Sequence, residues 1–225
     1  NRFRSYKNII WMLGGDHEPE ANLKATNVLG NALKKHAPRH LISYHANGLA
    51  GPSSQWFGNE AWFDFSTIQT HYERHPREYK DVLKDYRSKP ILPTWNSEPR
   101  YEYSPDRDRK GLRIGAFLMR QQAYRAFLSG AFGVSYGVYG LFNIGLTELD
   151  WKTKLLPLPG SFDMGHWKAL VKNRPWHKLK PDDGSLLIGH SGKGEDYIPC
   201  AVSTSKDFAL AYFPKTKSAL FDLSQ

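Results

Sequence analysis

Asn8-Ile9-Ile10-Trp11-Met12-Leu13-Gly14-Gly15-Asp16 and Ile91-Leu92-Pro93-Thr94-Trp95-Asn96-Ser97-Glu98 decide how this chain is read. Each is an apolar run that closes on a carboxylate, the second with Pro99 directly behind it. Short apolar runs bounded by turn residues are the pattern of buried parallel strands. In a barrel of alternating strands and helices, the carboxyl ends of the strands carry the catalytic groups. Two acids set there are what glycoside hydrolysis needs, one to protonate the departing oxygen and one to attack or to activate water.

Outward from these runs, strand-like and helix-like segments alternate. Residues 20–36 read as a helix with apolar Leu23, Val28, Leu29 and Leu33, and 41–45 as a second strand leading into a loop that ends at Ser53-Ser54. A third strand over 65–71 precedes a charged helix over 76–87, and the strand ending at Glu98 is the fourth. The spacing predicts a helix over 112–129, with Ile114, Phe117, Leu118, Gln121, Ala123 and Phe127 on one face and Gly130 ending it. Residues 133–139 form the fifth strand and 164–173 the last helix.

Such alternation with short connections predicts a parallel α/β architecture. A complete eight-unit barrel takes ~250 residues, whereas here the pattern changes near Pro181 after five units. The expectation is an incomplete (β/α)8 TIM barrel over residues 1–182, holding strands four to eight, with three units upstream of Asn1. From Leu186 onward the runs at 186–188, 200–202, 208–213 and 219–221 are short and separated by turn residues. They read as the opening of an antiparallel β-sandwich over 183–225.

The composition, 40% hydrophobic and 24% charged over 225 residues, is that of an ordinary globular protein. A formal net charge of +9 suits an anionic partner. The basic residues are scattered, however, with no basic arm and no zinc spacing, which argues against nucleic acid. Cys200 is the only cysteine, so no intrachain disulfide is possible. No apolar run approaches the ~18 residues of a membrane span.

Asp16 follows two glycines, which let the backbone turn and carry the acid over the barrel mouth; the alternative is an Asp capping the helix that begins near Pro19. Glu is a poor strand residue, and Pro99 holds Glu98 extended. Asn96, Arg100 and Tyr101 are near enough in sequence to hydrogen-bond Glu98 and keep it ionised. His45 and His71 end the second and third strands and face the same mouth, either as ligands of sugar hydroxyls or as histidines satisfied by a neighbouring loop. No HxxxH, HxH or Cys/His set supports a metal beside them, and no cofactor is implied. Ser53-Ser54-Gln55-Trp56-Phe57 lacks the Gly-x-Ser-x-Gly elbow of a serine hydrolase; it reads as a cleft lining with Trp56 as a platform for a sugar ring. Tyr136 and Tyr139 close the fifth strand, one to touch substrate and one to pack.

These blocks resemble the apiosidase-like group of glycoside hydrolases (the domain-of-unknown-function 4038 group, which includes glycoside hydrolase family 140). The resemblance runs in order through 8–16, 41–45, 53–57, Trp62-Phe63-Asp64-Phe65 with Gln69 and His71, 97–102, 129–137 and Arg174-Pro175-Trp176. It covers roughly residues 5 to 182 and implies a (β/α)8 barrel with its acid/base at the end of strand four and its nucleophile at the end of strand seven. Those roles fall on Asp16 and Glu98. The first and fourth visible strands become four and seven if three lie upstream, so the strand count and the resemblance agree. The resemblance also implies a retaining mechanism and a periplasmic or secreted setting. Its implied substrates are polysaccharide side chains, pectic ones first, and the basic charge is consistent with an acidic backbone. His45, Trp56, His71, Tyr101 and Tyr136 are the candidate sugar-binding residues. The alternative function is a non-catalytic carbohydrate- or matrix-binding protein, or an inactive fragment of such an enzyme.

Overall fold

In the computed structural model, which describes residues 2–71, 76–142, 150–189 and 191–224, β1 (Ile10–His17) pairs in parallel with β2 (Leu41–Ala46). Strands β3 (Ser66–Gln69), β4 (Thr94–Glu98) and β5 (Ala131–Val134) form a second parallel sheet in chain order. The two sheets meet through side-chain hydroxyls: Ser43 Oγ donates to the Phe65 carbonyl at 2.6 Å and Thr67 Oγ1 to the Tyr44 carbonyl at 2.5 Å. The main-chain N–H of Asp64 adds a bond to Ile42 O. Neither sheet closes on itself.

Helices α1 (Leu23–His36), α2 (Ser54–Phe57), α3 (Glu78–Tyr86), α4 (Ala116–Leu128) and α5 (Pro159–Lys172) lie between or after the strands. The rings of Tyr44, Phe57, Trp62 and Phe63, with Ile42, form a largely aromatic core at β1 and β2. Each such ring contributes about 2–3 kcal/mol through burial. A smaller cluster of Ile68, Val82, Ala126 and Ala131 ties β3 and β5 to α3 and α4. Among the described residues no helix is long and apolar enough to cross a membrane.

Several boundaries differ from the sequence expectation. β4 starts at Thr94, not 91, because Pro93 has no N–H to give the ladder. α4 starts at Ala116, after Gly115 in an extended conformation, since 112–114 are drawn off: Ile114 N bonds Ser104 O and Arg113 bridges Pro105. α4 is also buried around more than one face, taking in Gln121, Gln122 and Arg125, while Phe117 is exposed. β5 begins at Ala131 because Gly130, in a left-handed conformation, turns the chain straight from α4 into the strand. α5 begins at Pro159, a residue whose fixed φ suits the first turn of a helix.

Beyond the helices, β6 (Leu179–Pro181), β8 (Cys200–Ser203) and β9 (Ala209–Ala211) make an antiparallel sheet, and β7 (Leu187–Ile188) pairs with β10 (Leu220–Phe221). The sequence pattern missed β6, which is only three residues long and contains a proline. This sheet is seated on α3 and α4. Tyr79 stacks on Tyr197 at 3.9 Å, Tyr124 on Tyr212 at 4.5 Å, and the buried Arg125 guanidinium donates to the Glu195 carbonyl at 2.7 Å.

Candidate active site

The end of β1 is built to project a side chain. Gly14, Gly15 and Asp16 all have positive φ (79°, 129° and 56°). The β1–β2 register breaks between Gly14, opposite His45, and His17, opposite Ala46, so Gly15 and Asp16 bulge out of the ladder. A Cβ at Gly14 would lie 2.6 Å from both the His45 carbonyl and the Tyr44 ring, which leaves room only for glycine. The bulge lifts the Asp16 side chain to 60% exposure, and it caps no helix: Oδ1 accepts from Gln69 Nε2 at 3.0 Å. Glu98 closes β4 with its carboxylate 16% exposed.

His45, at the end of β2, sits between the two acids. Its Nε2 lies 2.9 Å from Glu98 Oε2 and 3.4 Å from Asp16 Oδ1. Its Nδ1 is 3.3 Å from Ser97 Oγ, and that hydroxyl is also placed to donate to Ile68 O at 3.3 Å. Tyr101 donates its hydroxyl to Glu98 Oε1 at 2.5 Å. The Tyr101 ring covers Gly137, where a Cβ would come within 2.4 Å of it, and lies 4.5 Å from the His71 ring.

Burial would push the Glu98 carboxyl up, but the hydrogen bonds from His45 and Tyr101 and the charges of His45 and His71 hold it below the ordinary carboxylate value. The bond to Glu98 raises His45 above the usual imidazole value despite partial burial, and Asp16 adds to the effect. Burial pushes His71 the other way, toward the neutral ring, against the Glu98 charge. The site therefore favours an imidazolium beside an ionised Glu98.

One oxygen of each acid and a His45 nitrogen lie within 4.8 Å of one another. Such a trio could grip a cation, yet its own hydrogen bonds already account for it. The same spacing brings the two carboxylates close enough to face a common point in front of the strand ends. Retaining glycosidases hold their carboxyls about 5–5.5 Å apart and inverting ones about 6.5–9.5 Å.

Of the residues singled out in the sequence, Asp16, His45, Glu98, Tyr101 and His71 are brought together. Trp56 and Tyr136 are engaged elsewhere. Trp56 donates its indole N–H to Glu20 and packs on the aromatic core. Tyr136 donates to Glu102, a buried carboxylate that also accepts the Gly160 N–H, and burial with that bond raises the phenol. Asn96 turns to Thr70 and Arg100 to Asp108, so of the three suggested partners of Glu98 only Tyr101 is hydrogen-bonded to it. Sequence reasoning gave no site role to Gln69 and Ser97. Gln69 was within reach of it, since the strand expected over 65–71 sets it two residues before His71; the strand itself ends at Gln69, which leaves His71 in the turn beyond.

A family model described as "Apiosidase-like, catalytic domain" matches residues 1–178. Among solved structures, a crystal structure of a glycoside hydrolase family 5 protein from Bacteroides vulgatus superposes with a TM-score of 0.84 at 26% identity, covering 95% of this chain and 50% of that one. A second, described as a glycoside hydrolase, gives 0.83 at 24% identity over 94% of this chain and 52% of its own, and bears on the fold alone. The chain thus spans about half the length of the solved structures it matches. No curated protein matches it. On the family match over most of its length, the chain belongs to the apiosidase-like catalytic-domain family.

Proposed function

We propose that this chain carries the catalytic pair of a retaining glycoside hydrolase. The observation that carries the reading is the Asp16–Glu98 spacing, within 4.8 Å between oxygens, at the carboxyl ends of β1 and β4. Glu98, enclosed and held ionised, is the nucleophile that attacks the anomeric carbon. Asp16, open to solvent on its bulge, protonates the departing oxygen and then activates water. Tyr101 orients the nucleophile, and His71 lines the same mouth. The substrate class is a polysaccharide side chain, a pectic one first, in keeping with the family and the net charge of +9.

In this reading residues 1–182 supply strands four to eight of a (β/α)8 barrel and 183–225 open a β-sandwich. The exposed Ile10 and Met12 on β1, and Val28 and Leu29 on α1, support it as the faces that preceding barrel units would cover.

The test is release of monosaccharide from a panel of pectic glycans by the protein with its upstream strands included. Wild type is expected to release one sugar. Glu98→Gln should abolish release, and Asp16→Asn should cut it by about 10²–10⁴-fold. A folded protein that binds the panel and releases nothing would favour the carbohydrate-binding alternative.

A further inference from the structure

His45 is more completely engaged than a sugar ligand should be. Its Nε2 is aimed at both carboxylates and its Nδ1 at Ser97, with the side chain only 17% exposed. If the Ser97 hydroxyl donates to Ile68 O, its lone pair is left for an Nδ1–H, and Nε2 then needs its own proton to bond a carboxylate. The groups that face the imidazole come from two strands, Asp16 from β1 and Ser97 with Glu98 from β4, while Gln69 from β3 bonds Asp16. Tyr101 and His71 stand beyond Glu98, and the charges of Arg100 and Arg107 reach His71. The two titratable groups in direct contact with the ring are both carboxyls.

We infer that His45 is a fixed imidazolium that pairs with whichever of the two acids is ionised at each stage of the reaction. The inference rests on the assignment of Asp16 and Glu98 above. In the first step a Glu98 oxygen bonds the anomeric carbon, the glycosidic C–O bond breaks, and the Asp16 proton goes to the departing oxygen. Glu98 is then a neutral ester and Asp16 a carboxylate. In the second step Asp16 takes a proton from water, the water oxygen bonds the anomeric carbon, and Glu98 leaves as a carboxylate. One negative charge crosses from Glu98 to Asp16 and returns, while His45 keeps its proton throughout. A single Nε2–H lying 2.9 Å from one acid and 3.4 Å from the other serves both states with little movement. His45 is thus a positioning residue, with Ser97 fixing its ring.

Two measurements test this. In the first, the His45 ring of the full protein is titrated by NMR with nitrogen-15 histidine, which needs no substrate. The ring is expected to titrate above the ordinary ~6.5, and to fall back toward it in Glu98→Gln. A ring that titrates at or below the ordinary value overturns the inference. In the second, pH profiles of wild type and His45→Gln are compared on the 4-nitrophenyl glycoside of whichever sugar the pectic panel yields. Gln keeps a donor and removes the charge. The acid limb of kcat/KM, which reports ionisation of Glu98, should move up by about one pH unit or more, and kcat should fall about 10–100-fold with a burst of nitrophenol. A raised KM with unmoved limbs would mean that His45 merely holds a sugar hydroxyl, and would overturn it too. Activity that survives Glu98→Gln would instead sink the assignment of the pair, whatever His45 does.

Discussion

Burial opposes the ionisation of Glu98, and two hydrogen bonds with two nearby imidazoles reverse that opposition. Tyr101→Phe removes one of the bonds and leaves the ring over Gly137 in place. It should lower kcat about 10-fold and move the acid limb of kcat/KM upward, read by initial rates across pH. The same groups set a stability window. Glu98 titrates below its ordinary 4.5, so its contribution is present above that value and lost as pH falls through the depressed one. His45 titrates above its ordinary 6.5, so its contribution is present below that value and lost as pH rises through the elevated one. The pair therefore stabilises most between about pH 4.5 and 6.5, and thermal melts of wild type against His45→Gln should differ most in that window. Sequence alone brought out the acids, because a carboxylate at the end of an apolar run is conspicuous. It left the role of His45 open between ligand and satisfied side chain, since only the register of β1, β2 and β4 puts one nitrogen between two carboxylates.

At the scale of the element, the β1 bulge is the device that makes Asp16 available. Gly14→Ala meets both a φ of 79° and backbone 2.6 Å away. It is expected to cost about 2–5 kcal/mol in stability by denaturant unfolding and to misplace Asp16. Gly15→Ala meets open space at a φ of 129° and should cost about 1–3 kcal/mol, from strain alone. The Gly-Gly-Asp run made this turn legible in the sequence. β4 and β5 were legible as strands but not in extent, because hydrophobic run length does not register a missing N–H at Pro93 or a left-handed turn at Gly130. α4 was legible as a helix and misread as amphipathic. Its Gln122 side chain reaches back to the Arg100 carbonyl and its Arg125 across to the terminal strands, contacts that no helical period encodes.

At the scale of the molecule, Arg125 joins the helices to the β segment. It is fully buried, lies 3.5 Å from the buried Glu78 carboxylate and donates to Glu195 O. Burial raises Glu78, and Arg125 opposes that rise. Arg125→Ala should therefore cost about 3–5 kcal/mol in thermal or denaturant unfolding, because it strands Glu78, while Arg125→Met with Glu78→Gln should recover much of the loss. The alternation of strands and helices was legible because five parallel units repeat one pattern. The docking of the terminal strands was not, because it depends on stacked tyrosines far apart in sequence.

The proposed pairing of Asp16 with Glu98 at short range predicts the stereochemistry of the product. Proton NMR of the sugar as it is first released, before mutarotation, reads the anomeric configuration directly. The account predicts the same configuration as in the glycoside bond that was cleaved, with release lost in Glu98→Gln. An inverted product from the wild-type protein would contradict it.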